Sequence, residues 1–276
     1  MALATGTQQG LRVAIDDAGI ATLALARPAV RNALDEELIG ALDRALREAA
    51  GDPAVRVVVL RGDGAAFCAG ADLAWMRRAA GLDEARNLAD ALRLARMLDR
   101  LARLPRPTIA LVHGATMGGG VGLAAACDLC VAEDTAVFAL SEVRLGLVPG
   151  AISPHVVRAI GERQALRYFQ TAERIPAPRA KEIGLAHEVV AAGGLDVAAA
   201  GLCAELLRGG PAALAAAKDL VHVLRDLAPG SATIEGTAAR IARQRASAEG
   251  REGVAAFLER RAPIWPRSSE LHDPEG

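Results

Sequence analysis

The 276-residue chain is 52% hydrophobic and 24% charged, which excludes a mainly disordered polypeptide and allows two domains or one large α/β domain. With 32 basic and 33 acidic residues its formal net charge is −1, so it has no global basic field to hold a nucleic-acid backbone or an anionic membrane. Two Trp, one Tyr and four Phe leave the core to be filled by alanine, leucine and valine.

In chain order, Leu11–Ile15 and Ile20–Leu25 read as two strands around the turn Asp16-Asp17-Ala18-Gly19. Leu34, Leu38, Ala41, Leu42, Ala45 and Leu46 repeat at helical spacing, with Asp35 as the cap. The run Val55 to Leu60 has the look of a strand buried on both faces. Ala66–Leu73 is a loop containing Gly70. Glu84–Leu104 is a long amphipathic helix with Leu88, Leu92, Ala95, Leu98 and Leu101 on one side, ended by Pro105 and Pro107. Thr108–Val112 is the next buried strand, followed by Gly118-Gly119-Gly120 and a small-residue helix over Val121–Ala126. Leu129–Ala132 and Val137–Leu140 are strands. Helices follow over Pro154–Ile160, Glu162–Thr171, Pro178–Ile183, Leu195–Leu207, Pro211–Leu224 and Thr233–Ala248, with a short strand at His187–Val190 and a polar tail after about residue 263. Strands alternate with helices for about two thirds of the chain, and helices dominate afterwards. The reading is an α/β core over residues 1–195 and a helical C-terminal region over 196–276.

The first ten residues carry no basic segment and no apolar segment of signal-peptide type, and the uncharged stretch from Pro107 to Cys127 is broken by five glycines, a proline and His113. A cytoplasmic protein without a membrane span is therefore expected. Cys127 and Cys130 form a CxxC, but no second CxxC or HxxxH supplies two more ligands, so they read as small buried hydrophobes and no metal is expected. GxSxG, HExxH and GxxxxGK[ST] motifs are absent. Gly120-Val121-Gly122-Leu123-Ala124-Ala125 matches GxGxxA, with Glu142 20 residues on from Gly122, but no strand directly precedes it as a dinucleotide site requires.

Two loops carry chemistry. Phe67-Cys68-Ala69-Gly70-Ala71-Asp72-Leu73 follows one buried strand, and Gly114-Ala115-Thr116-Met117-Gly118-Gly119-Gly120 follows another. Small residues there let backbone approach a ligand, and helix-initial N–H groups lack intrahelical partners. Two such N–H groups can polarise a carbonyl and stabilise an enolate. Glu142, in the apolar setting Phe138-Ala139-Leu140-Ser141-Glu142-Val143, is the candidate acid/base; a surface ion pair with Arg144 is the alternative. A nucleophilic role for Cys68 lacks a placed histidine partner.

Together these pieces resemble the crotonase superfamily of enoyl-CoA hydratases and isomerases. The resemblance rests on Arg27-Pro28 with Asn32-Ala33-Leu34, Phe67–Leu73, His113-Gly114 with Gly118–Gly120, Ala126-Cys127-Asp128, and Glu142 with Gly146–Gly150, and it spans about residues 11–260. It implies a crotonase-like spiral of repeated ββα units with a helical C-terminal trimerisation region. It also implies an acyl-CoA thioester as substrate, no further cofactor, no nucleic-acid or membrane partner, and a homotrimer or a hexamer formed as a dimer of trimers. The N–H groups of Ala71 and Gly119 would form the oxyanion hole. Arg27, Ala33, Ala69, Ala71, Asp72, Leu73 and Gly119 would hold coenzyme A, and Glu142 would be the acid/base. The family's hydratases carry a second glutamate where this chain has Gly122, which leaves a hydratase and a Δ3,Δ2-enoyl-CoA isomerase both open.

The segments Glu142–Pro149, Ile152–Gly161, Arg167–Glu173 and Ala69–Met76 look like those of bacterial methylglutaconyl-CoA hydratases, a group that serves leucine degradation. That resemblance implies hydration of 3-methylglutaconyl-CoA or a similar short or branched enoyl-CoA. Such a substrate carries a distal carboxylate, for which His155 and Arg158 are the candidates. Non-catalytic acyl-CoA or RNA binding is a further alternative. The C-terminal arginines Arg240, Arg243, Arg245, Arg251, Arg260 and Arg261 are a local basic cluster that would favour RNA, but Glu249, Glu252 and Glu259 dilute it.

Overall fold

The computed structural model describes residues 2–225 and 230–265; the polar tail from residue 266 onward lies outside the described residues. A seven-stranded sheet is its centre. Strands β1 (Gly6–Gln8), β2 (Leu11–Ile15) and β3 (Ile20–Leu25) pair antiparallel. The strands β4 (Val57–Gly62), β5 (Thr108–Val112), β7 (Leu129–Glu133) and β10 (Glu188–Val190) continue the sheet in parallel, in the order β1-β2-β3-β4-β5-β7-β10. The β2–β3 hairpin forms at Asp16, whose carboxylate accepts from the N–H groups of Ala18 and Ile20. A second sheet of β6 (Ala115–Met117), β8 (Val137–Ala139) and β9 (Ile175–Pro176) stands beside the first.

Among the described residues ten α-helices surround these sheets. Helix α1 (Glu36–Gly51) starts at Asp35, whose carboxylate accepts from Leu38 N–H, as the sequence predicts. Short α2 (Leu73–Ala79) leads to α3 (Glu84–Ala102), and α4 (Gly119–Ala126) crosses between the two glycine loops and β7. After β8 comes α5 (Ser153–Thr171), broken inside at Gly161, where φ is 75°. Next are α6 (Ala177–Glu182), α7 (Leu195–Leu207), α8 (Pro211–Arg225), α9 (Ser231–Ala246) and α10 (Ala248–Leu258).

Strand alternation divides the core. Val58 and Leu60 of β4, Ala110 and Val112 of β5 and Cys130 and Ala132 of β7 face a large core shared with α1, α3, α4 and α5. Val57 and Val59, Ile109 and Leu111, and Val131 face the other side, where Leu195, Ala199 and Cys203 of α7 cover them at four-residue spacing. These central strands are therefore buried on both faces, as their continuous apolar runs require. In α3 the buried apolar side chains are Met97, Leu98, Leu101 and Ala102 of the C-terminal half; Leu88 and Leu92 face out, so the apolar stripe extends past the contact it makes here.

Candidate active site

The two glycine loops run side by side at the C-terminal ends of β4 and β5. Phe67 N–H donates to His113 O, Cys68 N–H to Ala115 O and Met117 N–H to Cys68 O, so each loop fixes the other. Ala71 is also tied to the segment before α1. Leu34 N–H donates to Gly70 O at 2.7 Å, and Asp72 N–H donates to Leu34 O at 2.8 Å. This pairing consumes the backbone groups on either side of Ala71 and leaves its own N–H without a backbone acceptor among the described residues. Gly119 is the first residue of α4, so its N–H has no intrahelical acceptor either. Gly118 makes the turn between β6 and α4 at φ 47°, where a side chain would be strained.

Glu142 stands directly over that turn. It opens a short 3₁₀ turn, Glu142–Leu145, whose end is closed by Gly146 at φ 70°. A Cβ placed on Gly118 would lie 2.9 Å from Glu142 Oε1. The other oxygen, Oε2, is buried and has no hydrogen-bond partner among the described residues. Burial raises the Glu142 carboxyl above the ordinary carboxylate range, and a bond from its own backbone N–H opposes this only in part. A buried carboxylate with an uncommitted oxygen is poised to take or give a proton. Ion pairing with Arg144, the alternative reading of the sequence, does not occur among the ion pairs of the described residues.

Gly122 lies one turn into α4 and is fully enclosed. A Cβ there would lie 2.4 Å from Ile152 Cγ2, 2.9 Å from Ile152 Cβ and 3.4 Å from Leu98 Cδ1. The space beside Gly122 is thus filled by apolar side chains rather than left open. Nothing near Gly122 in sequence announces Ile152 as its partner, because the contact spans two sheets and a loop.

The residues expected to hold coenzyme A separate into two kinds. Leu73 and Ala71 are exposed, and Ala69 and Gly119 are half-buried, so they lie along an open edge of the loops. Ala33, Arg27 and Asp72 are instead engaged with one another. The Arg27 guanidinium donates to Ala33 O, pairs with Asp35 at 2.8 Å and with Asp72 at 3.0 Å. The Arg27 guanidinium and the Asp72 carboxylate are thus paired with each other within the protein. Beneath them, fully buried Asn32 accepts from Arg27 N–H and donates to Asp63 O and Ala66 O, knitting the same segment to the loop after β4.

Arg158, a candidate for the distal carboxylate, meets α8. Arg158 Nη1 lies 3.0 Å from His222 Nδ1 on α8, and His222 Nε2 lies 3.1 Å from Ala102 O. Since arginine only donates, His222 keeps its proton on Nε2. Arg158 lines a cavity of about 550 Å³ at the far end of α4, beside Cys127, Cys130 and Lys218, and none of Ala71, Gly119 or Glu142 lines it. The helical rise carries Arg158 away from the site that Ile152 touches. His155 sits among Asp99, Arg103, Arg158 and Arg225; burial lowers its imidazole below the ordinary range, with the three arginines adding to the effect and Asp99 opposing it.

The four cysteines are free and buried, and burial pushes Cys68 and Cys130 up to about 12, so neither is a thiolate nucleophile near neutral pH. Among the described residues no group of three His, Cys, Asp or Glu could hold a metal ion, and no single helix is long and apolar enough to cross a membrane.

Known proteins resemble this chain in sequence and fold. The family model for enoyl-CoA hydratase/isomerase matches residues 16–268. A solved enoyl-CoA hydratase from Shewanella pealeana is 40% identical, with a TM-score of 0.90 over 94% of this chain and 100% of its own. One from Mycobacterium smegmatis is 34% identical, with a TM-score of 0.87 over 93% and 98%. The 2,3-dehydroadipyl-CoA hydratase of Escherichia coli is 34% identical over 249 residues, 87% of this chain and 92% of its own length. The chain is a mixed α/β enzyme that belongs to the enoyl-CoA hydratase/isomerase family, the crotonase superfamily.

Proposed function

We propose that the protein hydrates the 2,3 double bond of a short or branched enoyl-CoA, with 3-methylglutaconyl-CoA or a similar thioester as substrate. The observation that carries the reading is the uncommitted, buried Glu142 carboxylate over Gly118, beside the two N–H groups of Ala71 and Gly119 that have no backbone acceptor. The thioester carbonyl accepts from these two N–H groups. Glu142 takes a proton from water as the water oxygen bonds to Cβ, and the double-bond electrons move to the carbonyl oxygen as an enolate. The enolate collapses as Glu142 returns the proton to Cα, so water is added and the carboxylate is regenerated. Each N–H donor contributes about 3 kcal/mol to the lowering of the barrier. The 2,3-dehydroadipyl-CoA hydratase of E. coli supports the hydration half of this reading.

A second reading is a Δ3,Δ2-enoyl-CoA isomerase, favoured by the packing of Gly122 against Ile152, which leaves no room for a second carboxylate at that position. A substrate panel separates the two by following the absorbance of the conjugated enoyl thioester. Loss of absorbance, fastest with 3-methylglutaconyl-CoA and slower with crotonyl-CoA, supports the hydratase. A gain of absorbance from a 3-enoyl-CoA with no hydration of the other two overturns it in favour of the isomerase.

The same proposal includes a homotrimer or hexamer. Its support is the apolar side chains that α9 and α10 leave open, among them Ile234, Ile241, Phe257 and Leu258, the last two 81% and 73% exposed. Sedimentation at three or six times the 28.5 kDa chain mass is the expected result, and a monomer at micromolar concentration overturns it.

A further inference from the structure

We infer that Arg27 and Asp72 are positioning residues that aim the Ala71 N–H at the thioester oxygen, acting through the backbone rather than by touching substrate. The inference rests on the oxyanion role proposed for Ala71. Its basis is the way three chain segments meet at one guanidinium. Arg27 follows β3, Ala33 and Asp35 precede α1, and Asp72 ends the oxyanion loop. The Arg27 fork donates to Ala33 O and pairs with both carboxylates, at 2.8 Å for Asp35 and 3.0 Å for Asp72. All three side chains are largely enclosed, with 23%, 17% and 11% of the Arg27, Asp35 and Asp72 side chains exposed, so the pairs are less screened than surface ones.

Asp72 divides its two oxygens between tasks. Oδ2 takes Arg27, while Oδ1 accepts from Ala74 N–H at 2.8 Å and Trp75 N–H at 3.2 Å and so caps α2. Burial pushes this carboxyl up, but the Trp75 and Ala74 donors and Arg27 together outweigh it and hold it below the ordinary range. Ala71 lies between that anchored residue and Gly70, whose carbonyl is held by Leu34 N–H. The peptide that carries the Ala71 N–H therefore has one neighbour fixed by a backbone bond and the other by a charge-assisted pair. A planar fork is needed to reach a carbonyl and two carboxylates at once; a lysine ammonium on a flexible stem cannot match that geometry. Oxyanion donors act only when pre-set, and a small rotation of this peptide loses the bond where charge develops.

The test uses Asp72→Asn and Arg27→Lys in the full-length protein. In Asp72→Asn the side-chain amide oxygen can still cap α2, while the charge that Arg27 grips is lost. Arg27→Lys keeps the charge and loses the fork. Three readouts are taken: kcat and KM for the substrate turned over fastest, the melting midpoint, and the absorbance shift of bound 2,4-hexadienoyl-CoA, whose conjugated thioester moves to longer wavelength when its carbonyl is polarised. The expected result is a kcat lower by roughly 10- to 100-fold, KM within about threefold, and a reduced red shift, in variants that still melt cooperatively. A full red shift and unchanged kcat in both variants overturns the positioning role. A raised KM for CoA thioesters with kcat intact also overturns it, in favour of direct coenzyme A binding. Absence of any red shift in the unmodified protein fails the oxyanion reading itself, which distinguishes that failure from failure of the clamp.

Discussion

Glu142→Gln is expected to lower turnover by roughly 10²- to 10⁴-fold while leaving the affinity for the CoA thioester within a few-fold of the unmodified protein. The amide matches the carboxylate in shape, so the loops and the packing around Gly118 stay in place. What is lost is the base: an amide cannot take a proton from water, and position 122 supplies no second carboxylate, being a glycine closed off by Ile152 and Leu98. The N–H groups of Ala71 and Gly119 still bind the thioester, which is why KM is spared. Steady-state kinetics with a direct binding measurement checks this, and near-unmodified turnover removes Glu142 from the acid/base role.

The same substitution has a signature in stability, and its sign follows from the raised carboxyl. Burial holds the Glu142 proton in the folded state to a higher pH than the ordinary value of about 4.3 that applies to the unfolded chain. Below that ordinary value both states are protonated and Glu142 contributes no pH-dependent penalty. As pH rises from there to the folded value, the unfolded state ionises first and stability falls; above the folded value the penalty is complete. Glu142→Gln removes the penalty. Its melting midpoint should match the unmodified protein below about pH 4 and exceed it at neutral pH. The wild-type kcat/KM should rise with pH through the same window, since the ionised form is the base that activates water. A site that gives up stability to keep an uncommitted oxygen is a common relation between activity and folding.

Much of this is legible in the sequence, and the exceptions have physical reasons. The two-faced burial of Val57–Leu60 and Ile109–Val112 follows from uninterrupted apolar runs, and the start of α1 from Asp35. The break of α5 at Gly161 follows from a glycine between two amphipathic stretches. Glu142 stands out because a lone carboxylate in an apolar run has to be explained by something buried. Helix α2 gives no clear pattern, because its seven residues bury no side chain completely and its one strong signal is the Asp72 cap. Helix α10 escapes for a similar reason: Ser247, which caps it by accepting from Gly250 N–H, looks like any surface serine inside a helical stretch. Strand β4 begins at Val57 rather than Val55, since Val55 is buried within the turn that enters the sheet. The contact of Arg158 with His222 is not legible either, because helical position alone does not say which neighbouring helix a side chain meets. The Arg27–Asp35–Asp72 cluster is invisible in the sequence for a deeper reason. Its members lie up to 45 residues apart, and charge pairing at that distance leaves no local pattern.

The second large effect is expected at Gly122, where two ordinary rules give opposite signs. In the interior of a helix, Gly→Ala is normally stabilising by about 1 kcal/mol, because glycine gives up more backbone freedom on folding. Here the added methyl meets Ile152 Cγ2 at 2.4 Å and Ile152 Cβ at 2.9 Å, both closer than a close-packed core can absorb without movement. Ile152 is 3% exposed on a β-branched, rotamer-restricted stem, so it has little room to yield. Overpacking of this kind costs about 1–3 kcal/mol, which exceeds the helix gain, so Gly122→Ala should lower the urea midpoint. Ile152→Ala alone should also destabilise, by about 2–5 kcal/mol through the cavity it opens. In the double variant the 2.4 Å contact with Cγ2 is gone and only the 2.9 Å contact with the retained Cβ remains, so the combined loss should fall short of the sum of the two by at least about 0.5 kcal/mol. Additive losses would mean that the contact is absent in solution. Where the coupling holds, the Ile152→Ala background is also the one in which Gly122→Glu can be accommodated. Gly122→Glu should fold there and fail without it, and a gain in crotonyl-CoA hydration in the double variant would show that a second carboxylate, excluded by one isoleucine, is what the natural site does without.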